Sequence, residues 1–408
     1  MARFRPSDRY AWPMPSPLHR PWIRTFGIAL AFFLVCVYGL WVNLPPLVDK
    51  RMNTLELRPP YTASARARAL HETLFVADLH DDALLWSRDL LRRHGYGHSD
   101  LPRLLEGRTA LQVFSAVTKT PRGINFERNG ADTDNVTPLV MAQRWPRRTW
   151  DSLFERAIYQ AERLHRAAAA SEGQLVIVRN THDLQTTQTT APAAGRLLAL
   201  LATEGLHPLQ GELANVDLLF AAGYRIAGLT HFFDNEIGGS AHGLEKGGLT
   251  PFGRAVVARL EDKRMLVDLA HASPRVIDDV LAMARRPVLV SHTGVQGTCA
   301  GPRNLSDAHI RGIAATGGVI GIAYFEGALC ALTPQAIAKA ARHVARLVGV
   351  QHVALGSDFD GATRTVVDST GLPLVTQALL EEGFSESDVA AIMGGNVLRL
   401  LQATLPQG

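Results

Sequence analysis

The sequence predicts an α/β chain folded as a TIM-like (β/α)8 barrel behind an N-terminal transmembrane helix, and three observations predict it. Apolar runs of strand length alternate with helix-like segments through most of the chain. Strands buried on both faces and separated by helices form parallel sheets. Several of these runs finish in His, Asp or Glu, at the strand ends where such barrels carry their sites. Ahead of them all, residues 25–48 contain no charged side chain. With 408 residues, 47% hydrophobic and 20% charged, the chain has ordinary globular composition and ample length for one large domain.

The amino terminus stands apart. Arg3, Arg5, Arg9, Arg20 and Arg24 face only Asp8, so the first 24 residues hold the whole formal net charge of +4. The excess of basic residues is therefore a membrane flank and no sign of a nucleic-acid partner. The uncharged run that follows exceeds the roughly 20 residues needed to span a bilayer. Trp22, Tyr38 and Trp41 lie near its ends, where amphipathic rings prefer the interface. A cleaved signal peptide is the competing reading. No small-x-small cleavage pattern closes the run, and Pro45 and Pro46 end it, which favours an uncleaved anchor. Arginines before the span place residues 1–24 in the cytoplasm and the rest outside, periplasmic or extracellular. Residues 49–69 read as a linker, and 70–408 as the barrel domain. Of three cysteines, Cys36 lies in the span; Cys299 and Cys330 are either a disulfide pair or two buried thiols.

Helical spacing occupies 63–73, before the first strand at 74–82, LFVADLHDD. A second strand is expected at 110–117, then a polar loop and a long helix over 144–170. Further strands fall at 197–204, 224–231, 265–271, 287–292, 318–324 and 353–358, with helices such as 252–262, 274–284 and 334–348 between them. If the LVIV run at 175–178 is accessory, the barrel has its eight strands. A doubly wound open sheet is the alternative, weakened because no glycine-rich phosphate fingerprint follows the first strand. The SESD sequence at 385–388 caps a last helix running to 401. Gly394, Gly395 and Asn396 interrupt it, which suggests close packing against the barrel.

Successive strand side chains alternate faces, so His80 and Asp82 emerge together. Reading the other strand ends adds Glu204, His231, His271, His292 and Asp358. Seven polar groups at the ends of six apolar runs would each carry a desolvation penalty unless they shared a ligand. Two half-sites sharing Glu204 suit a pair of Zn2+ ions about 3.5 to 4 Å apart, the arrangement of two-metal hydrolases. No cysteine lies at these ends, which excludes a structural thiolate site.

The ordered set DLHDD, TEG, LTH, VDLAHAS, VSHTG with GPRN, and GSDFDG resembles the membrane (renal) dipeptidase family of the amidohydrolase superfamily, over about residues 70–402. The resemblance implies a distorted (β/α)8 barrel with two zinc ions. His80 and Asp82 would hold one ion, His271 and His292 the other, and Glu204 would bridge them. Arg303, eleven positions after His292, would grip the substrate's terminal carboxylate. His231 would hydrogen-bond the developing oxyanion. Asp358, rather than Asp360, would be the acid/base. Cys299 and Cys330 fall near a disulfide pair of mammalian members. The substrates implied are dipeptides, including those with a C-terminal D-residue; a homodimer stays open.

Departures from the family bear on specificity. Asp81 stands where mammalian relatives have Asn, and EGLHPL follows the bridging acid in place of a more glycine-rich sequence. The segment FFDNEIGGSAHG after His231, which should wall the side-chain pockets, also differs. Two other functions compete: a superfamily hydrolase acting on another amide or a lactone, and a non-catalytic, membrane-tethered binding protein. A panel of dipeptides against lactones and nucleobases separates the first, and zinc analysis the second.

Overall fold

The computed structural model describes residues 21–188 and 195–408, without the side chains of 21–24, 36, 40–42 and 186–188. The basic residues Arg3, Arg5, Arg9 and Arg20, and the side chains of Arg24, Trp22 and Trp41, lie outside that description. The chain divides into two units, Met1–Leu44 and Pro45–Gly408. In the first, the described residues belong to the helix Pro21–Met52, whose portion Thr25–Met52 is long and apolar enough to cross a membrane by length and composition. Pro45 and Pro46 do not end this helix. They remove two intrahelical donors, but the turns beyond them are tied into the second unit: Asp49 accepts from Asn53 Nδ2 and from Arg88 Nε, both at 2.8 Å. Residues 49–69 are accordingly no free linker. They contain the helix end, a two-residue strand Thr54–Leu55 paired in parallel with Arg364–Thr365, and the helix Ala65–His71.

The second unit is a parallel barrel. Its strands are β1 (Val76–Asp81), β2 (Thr109–Val117), β3 (Leu197–Glu204), β4 (Tyr224–Gly228), β5 (Leu266–Asp268), β6 (Leu289–Thr293), β7 (Val319–Ile322) and β8 (Val353–Leu355). Each is hydrogen-bonded to the next in chain order. Leu175–Ile177 pairs with the start of β3, outside this path. Every strand residue is buried, as two covered faces require. One apolar cluster takes side chains from all eight strands, among them Leu79, Val113, Leu200 and Ala354, and so must be the interior. Val397, Leu400 and Leu401 of the last helix, Asn396–Thr404, join it and close one end.

The ladder thins at two places, and a buried carboxylate spans each. Between β8 and β1, Asp78 accepts from the Ser357 amide at 3.1 Å, beside a parallel bridge between Asp81 and Phe359. Between β5 and β6, where one residue pair is in register, Asp268 accepts from the Ser291 amide at 2.8 Å. Three local expectations change. The 144–170 helix is two, Arg148–Asp151 and Leu153–Ala170, because Ser152 is extended and caps the second through the Glu155 amide. The last helix divides into Glu386–Ala390, with its capping box, a π-turn Ala391–Gly395, and Asn396–Thr404. At Gly394 a Cβ would lie 2.0 Å from the Phe75 carbonyl, so glycine permits the approach to β1. Finally, β4, β5 and β8 stop short of 231, 271 and 358, leaving His231, His271 and Asp358 on the loops just beyond.

Candidate active site

Glu204 is the last residue of β3, and four imidazoles surround its carboxylate. His80 Nε2 lies 3.4 Å from Oε1, His271 Nε2 3.2 Å and His292 Nε2 3.5 Å, while His231 Nε2 is 3.3 Å from Oε2. His271 and His292 approach each other at 3.0 Å through their Nε2 atoms. Asp82, just past β1, brings Oδ1 to 3.5 Å from His80 Nε2. Two triads have donor atoms close enough for one ion each, His80, Asp82, Glu204 and Glu204, His271, His292; a third group joins His80 and His292 to Asp358. His271 and Asp358 both adopt left-handed backbone, φ 61° and 63°, conformations that non-glycine residues hold only where the surroundings enforce them.

The ring orientations have a cause. The Ser291 hydroxyl lies 2.9 Å from His292 Nδ1 and 3.3 Å from His80 Nδ1, so the Nε2 atoms are the ones turned to Glu204. His80 Nε2 and Asp82 Oδ1 are buried with no hydrogen-bond partner among the described residues. A cation between them would remove that cost. Burial raises Asp82 to about 7 and Asp358 well above the carboxylate range. Burial also works to raise Glu204, but His231, His80 and His271 hold it well below its ordinary value. Burial pushes His231, His271 and His292 below the usual imidazole value; it works the same way on His80, but Asp82 and Glu204 hold that ring well above it.

Arg303 reaches the same space from the loop after β6 and donates through NH2 to the His292 carbonyl at 2.7 Å. Its Nε has no partner among the described residues, and burial lowers its pKa to about 10, which leaves it charged at neutral pH. Asp358 lines the cavity, whereas Asp360 does not: its carboxylate meets Arg88 NH2 at 2.6 Å and accepts from the His98 amide at 2.7 Å. The cavity measures about 630 Å3 and reaches from Asp82, Glu204 and Asp358 to Arg303, with Trp86, Phe126, Phe232 and Phe325 in its walls. Cys299 and Cys330 form a disulfide with Cα atoms 5.4 Å apart.

Sequence reasoning passed over Ser291, Asp78 and His242. Asp78 shares strand parity with His80 and Asp82, a usable signal. Ser291 adjoins a ligand candidate but has the opposite parity. His242 sits behind Phe232, ring centres 4.9 Å apart, and is held down to about 3 by burial and Arg303; the sequence marks the segment around it, FFDNEIGGSAHG, as a pocket wall without marking this ring.

Fold and cluster together define a (β/α)8 barrel with a candidate metal centre at the carboxyl ends of its strands. The family model described as membrane dipeptidase (peptidase family M19) matches residues 64–405, and the chain belongs to that family: it is a metallopeptidase-family hydrolase of the dipeptidase kind. Dipeptidase aclJ of Aspergillus oryzae is 28% identical over 95% of this chain and 91% of its own length. Dipeptidase verJ of Clonostachys rogersoniana is 30% identical, covering 75% of this chain and 76% of its own. Dipeptidase 3 of Rattus norvegicus is 27% identical over 75% of this chain and 64% of its own. Two solved structures share the fold. The probable dipeptidase PvdM of Pseudomonas aeruginosa superposes with TM-score 0.70 at 20% identity, covering 83% of this chain and 98% of that one. A Rhodobacter sphaeroides metallo peptidase, liganded with a phosphinate mimic of L-Ala-D-Ala, gives 0.65 at 23%, covering 81% and 99%.

Proposed function

We propose that this chain is a membrane-anchored zinc dipeptidase with two ions per chain, hydrolysing dipeptides including those that end in a D-residue. Glu204 carries the reading: one buried carboxylate lies within 3.5 Å of four imidazole nitrogens, more than a structural ion pair uses. His80 and Asp82 would hold one ion, His271 and His292 the other, and Glu204 both. Imidazole and carboxylate donors suit zinc. Bound there, the ions would polarise the scissile carbonyl and acidify water.

The protein's own groups supply the rest. Arg303 binds the free carboxylate of the substrate, which limits the chain beyond the scissile bond to one residue. His231, neutral because it is buried, donates a hydrogen bond to the carbonyl oxygen as negative charge grows on it. Asp358, which lines the cavity beside Asp82 and Glu204, takes the proton of the attacking water and returns it to the departing amine. The acceptance of D-residues is supported by the L-Ala-D-Ala mimic bound to the Rhodobacter sphaeroides relative. The anchor would leave residues 1–24 in the cytoplasm, cross within 25–48, and carry the catalytic unit outside, where a disulfide persists.

The test is turnover of Gly-L-Ala and Gly-D-Ala by the full-length chain in detergent, with zinc content measured before and after chelation. Hydrolysis of both, lost with the zinc and restored by it, is expected. A zinc-replete chain that cleaves neither overturns the reading.

A further inference from the structure

The apolar helix does not stop where the uncharged run ends. Its last turns, from Pro45 to Met52, belong to the barrel unit, and two of their side chains, Val48 and Met52, line the cavity that also contains Asp82, Glu204, Arg303 and Asp358. Val48 packs on a small apolar cluster separate from the main core, made with Leu85, Trp86, Val117 and Val136, and these four line the cavity as well. At about 630 Å3, the cavity has the size of a pocket for a drug-sized ligand. A dipeptide of two small residues fills only part of it.

The same segment is fastened to the loop that carries Asp358. Asn53, buried, accepts from the Ala362 amide at 2.9 Å and donates to Asp49 at 2.8 Å. Asp49 in turn accepts from Arg88, whose NH2 meets Asp360 at 2.6 Å. The Thr54 amide donates to the Thr363 carbonyl at 3.2 Å. Within this loop Asp358, Asp360 and Ala362 all have left-handed backbone, with φ of 63°, 58° and 55°. Three such residues in five positions need external restraint, and the helix end provides it.

We propose that the stem of the apolar helix, residues 45–53, is a working part of the active site: Asn53 is a positioning residue for the Asp358 loop, and Val48 and Met52 form an apolar wall that favours substrates with a bulky apolar residue. The wall rests on the dipeptidase reading; the latch does not. The anchor is then more than a tether, because the residues that join it to the barrel help set which dipeptide is cleaved.

The experiment uses the full-length chain in detergent. Asn53→Ala should raise amide hydrogen exchange over 357–366 while β2 and β3 keep their protection. It should also lower kcat for Gly-Ala about tenfold with KM changed less than threefold. Exchange over 357–366 that matches the wild type, or a loss confined to KM, overturns the latch. For the wall, the ratio of kcat/KM for Leu-Ala to that for Gly-Ala is compared between wild type, Val48→Asp and Met52→Asp. A fall in the ratio of fivefold or more is expected in both variants, with zinc content unchanged; a constant ratio overturns the wall. A wild type that turns over neither dipeptide would sink the proposed function, and the exchange result would still decide the stem.

Discussion

Two clusters of buried charge sit side by side at the mouth of the barrel and differ in how they are satisfied. Around Arg156, every guanidinium donor has an acceptor within the chain: the carbonyls of Thr149, Thr118 and Trp150 at 2.7 Å, Asp134 at 2.7 Å and the Thr137 hydroxyl at 2.5 Å. Five bonds use all that this side chain offers. One strand away the account does not close. Val117, beside Thr118, pairs in register with Glu204. Around Glu204 the nitrogens crowd one carboxylate, and His80 Nε2 and Asp82 Oδ1 keep no hydrogen-bond partner among the described residues. Burial alone therefore does not mark a functional site. A buried charge whose partners are all protein is architecture, whereas unpaired His and Asp atoms gathered round one carboxylate are what a metal ion would satisfy.

That contrast can be broken most sharply at Glu204. Glu204→Ala should cut dipeptide turnover by about a thousandfold or more and bring zinc below one ion per chain, with the thermal unfolding of the metal-free protein close to wild type. Activity assays with metal analysis check the first two, and calorimetry the third. The opposite pattern is expected at the satisfied cluster. Arg156→Ala leaves several buried acceptors unpaired and should cost about 3–5 kcal/mol of stability in denaturant titrations, while the folded fraction still binds zinc.

Smaller effects refine the boundary between the clusters. If Arg303 grips the substrate carboxylate as proposed, Arg303→Ala removes a charge-assisted contact worth about 1.5–3 kcal/mol, and KM for dipeptides should rise about tenfold to a hundredfold with metal content unchanged. Equal dipeptide kinetics in that variant would remove Arg303 from the binding site. The smallest effect should appear at Asp134. Burial works to raise its pKa, but the Thr137 hydroxyl, Arg156 and the Val136 amide hold it below the ordinary range. A depressed carboxylate stabilises fully above its unfolded pKa of about 3.9, and that contribution is lost as pH falls through the folded value. Asp134→Asn should thus lower stability at neutral pH and flatten the stability curve below about pH 4, read by unfolding at a series of pH values.

Much of this was legible in the chain itself. The eight barrel strands follow the apolar runs because parallel strands covered on both faces cannot disguise their composition. Glu204, His292 and the His80–Asp82 pair fall at strand ends for the same reason. What the sequence hid depends on closure in three dimensions. Asp78 and Asp268 replace ladder bonds at the two thin places, and an isolated strand cannot show where its ring will part. Ser152 looked like one more residue of a helix until its hydroxyl was seen capping the Glu155 amide. Residues 49–69 read as a linker because Pro59 and Pro60 break the chain ahead of the first helix, while the partners that fix Asp49 and Asn53, Arg88 and Ala362, lie about 40 and 310 positions away along the chain.

The most direct test of the central claim is anomalous scattering at the zinc edge from crystals grown with the metal. Two peaks about 3.5 to 4 Å apart are expected, one beside His80 and Asp82, the other beside His271 and His292, with the Glu204 carboxylate between them. Zinc bound elsewhere, or a map that leaves Glu204 among its imidazoles with no metal peak, would contradict it.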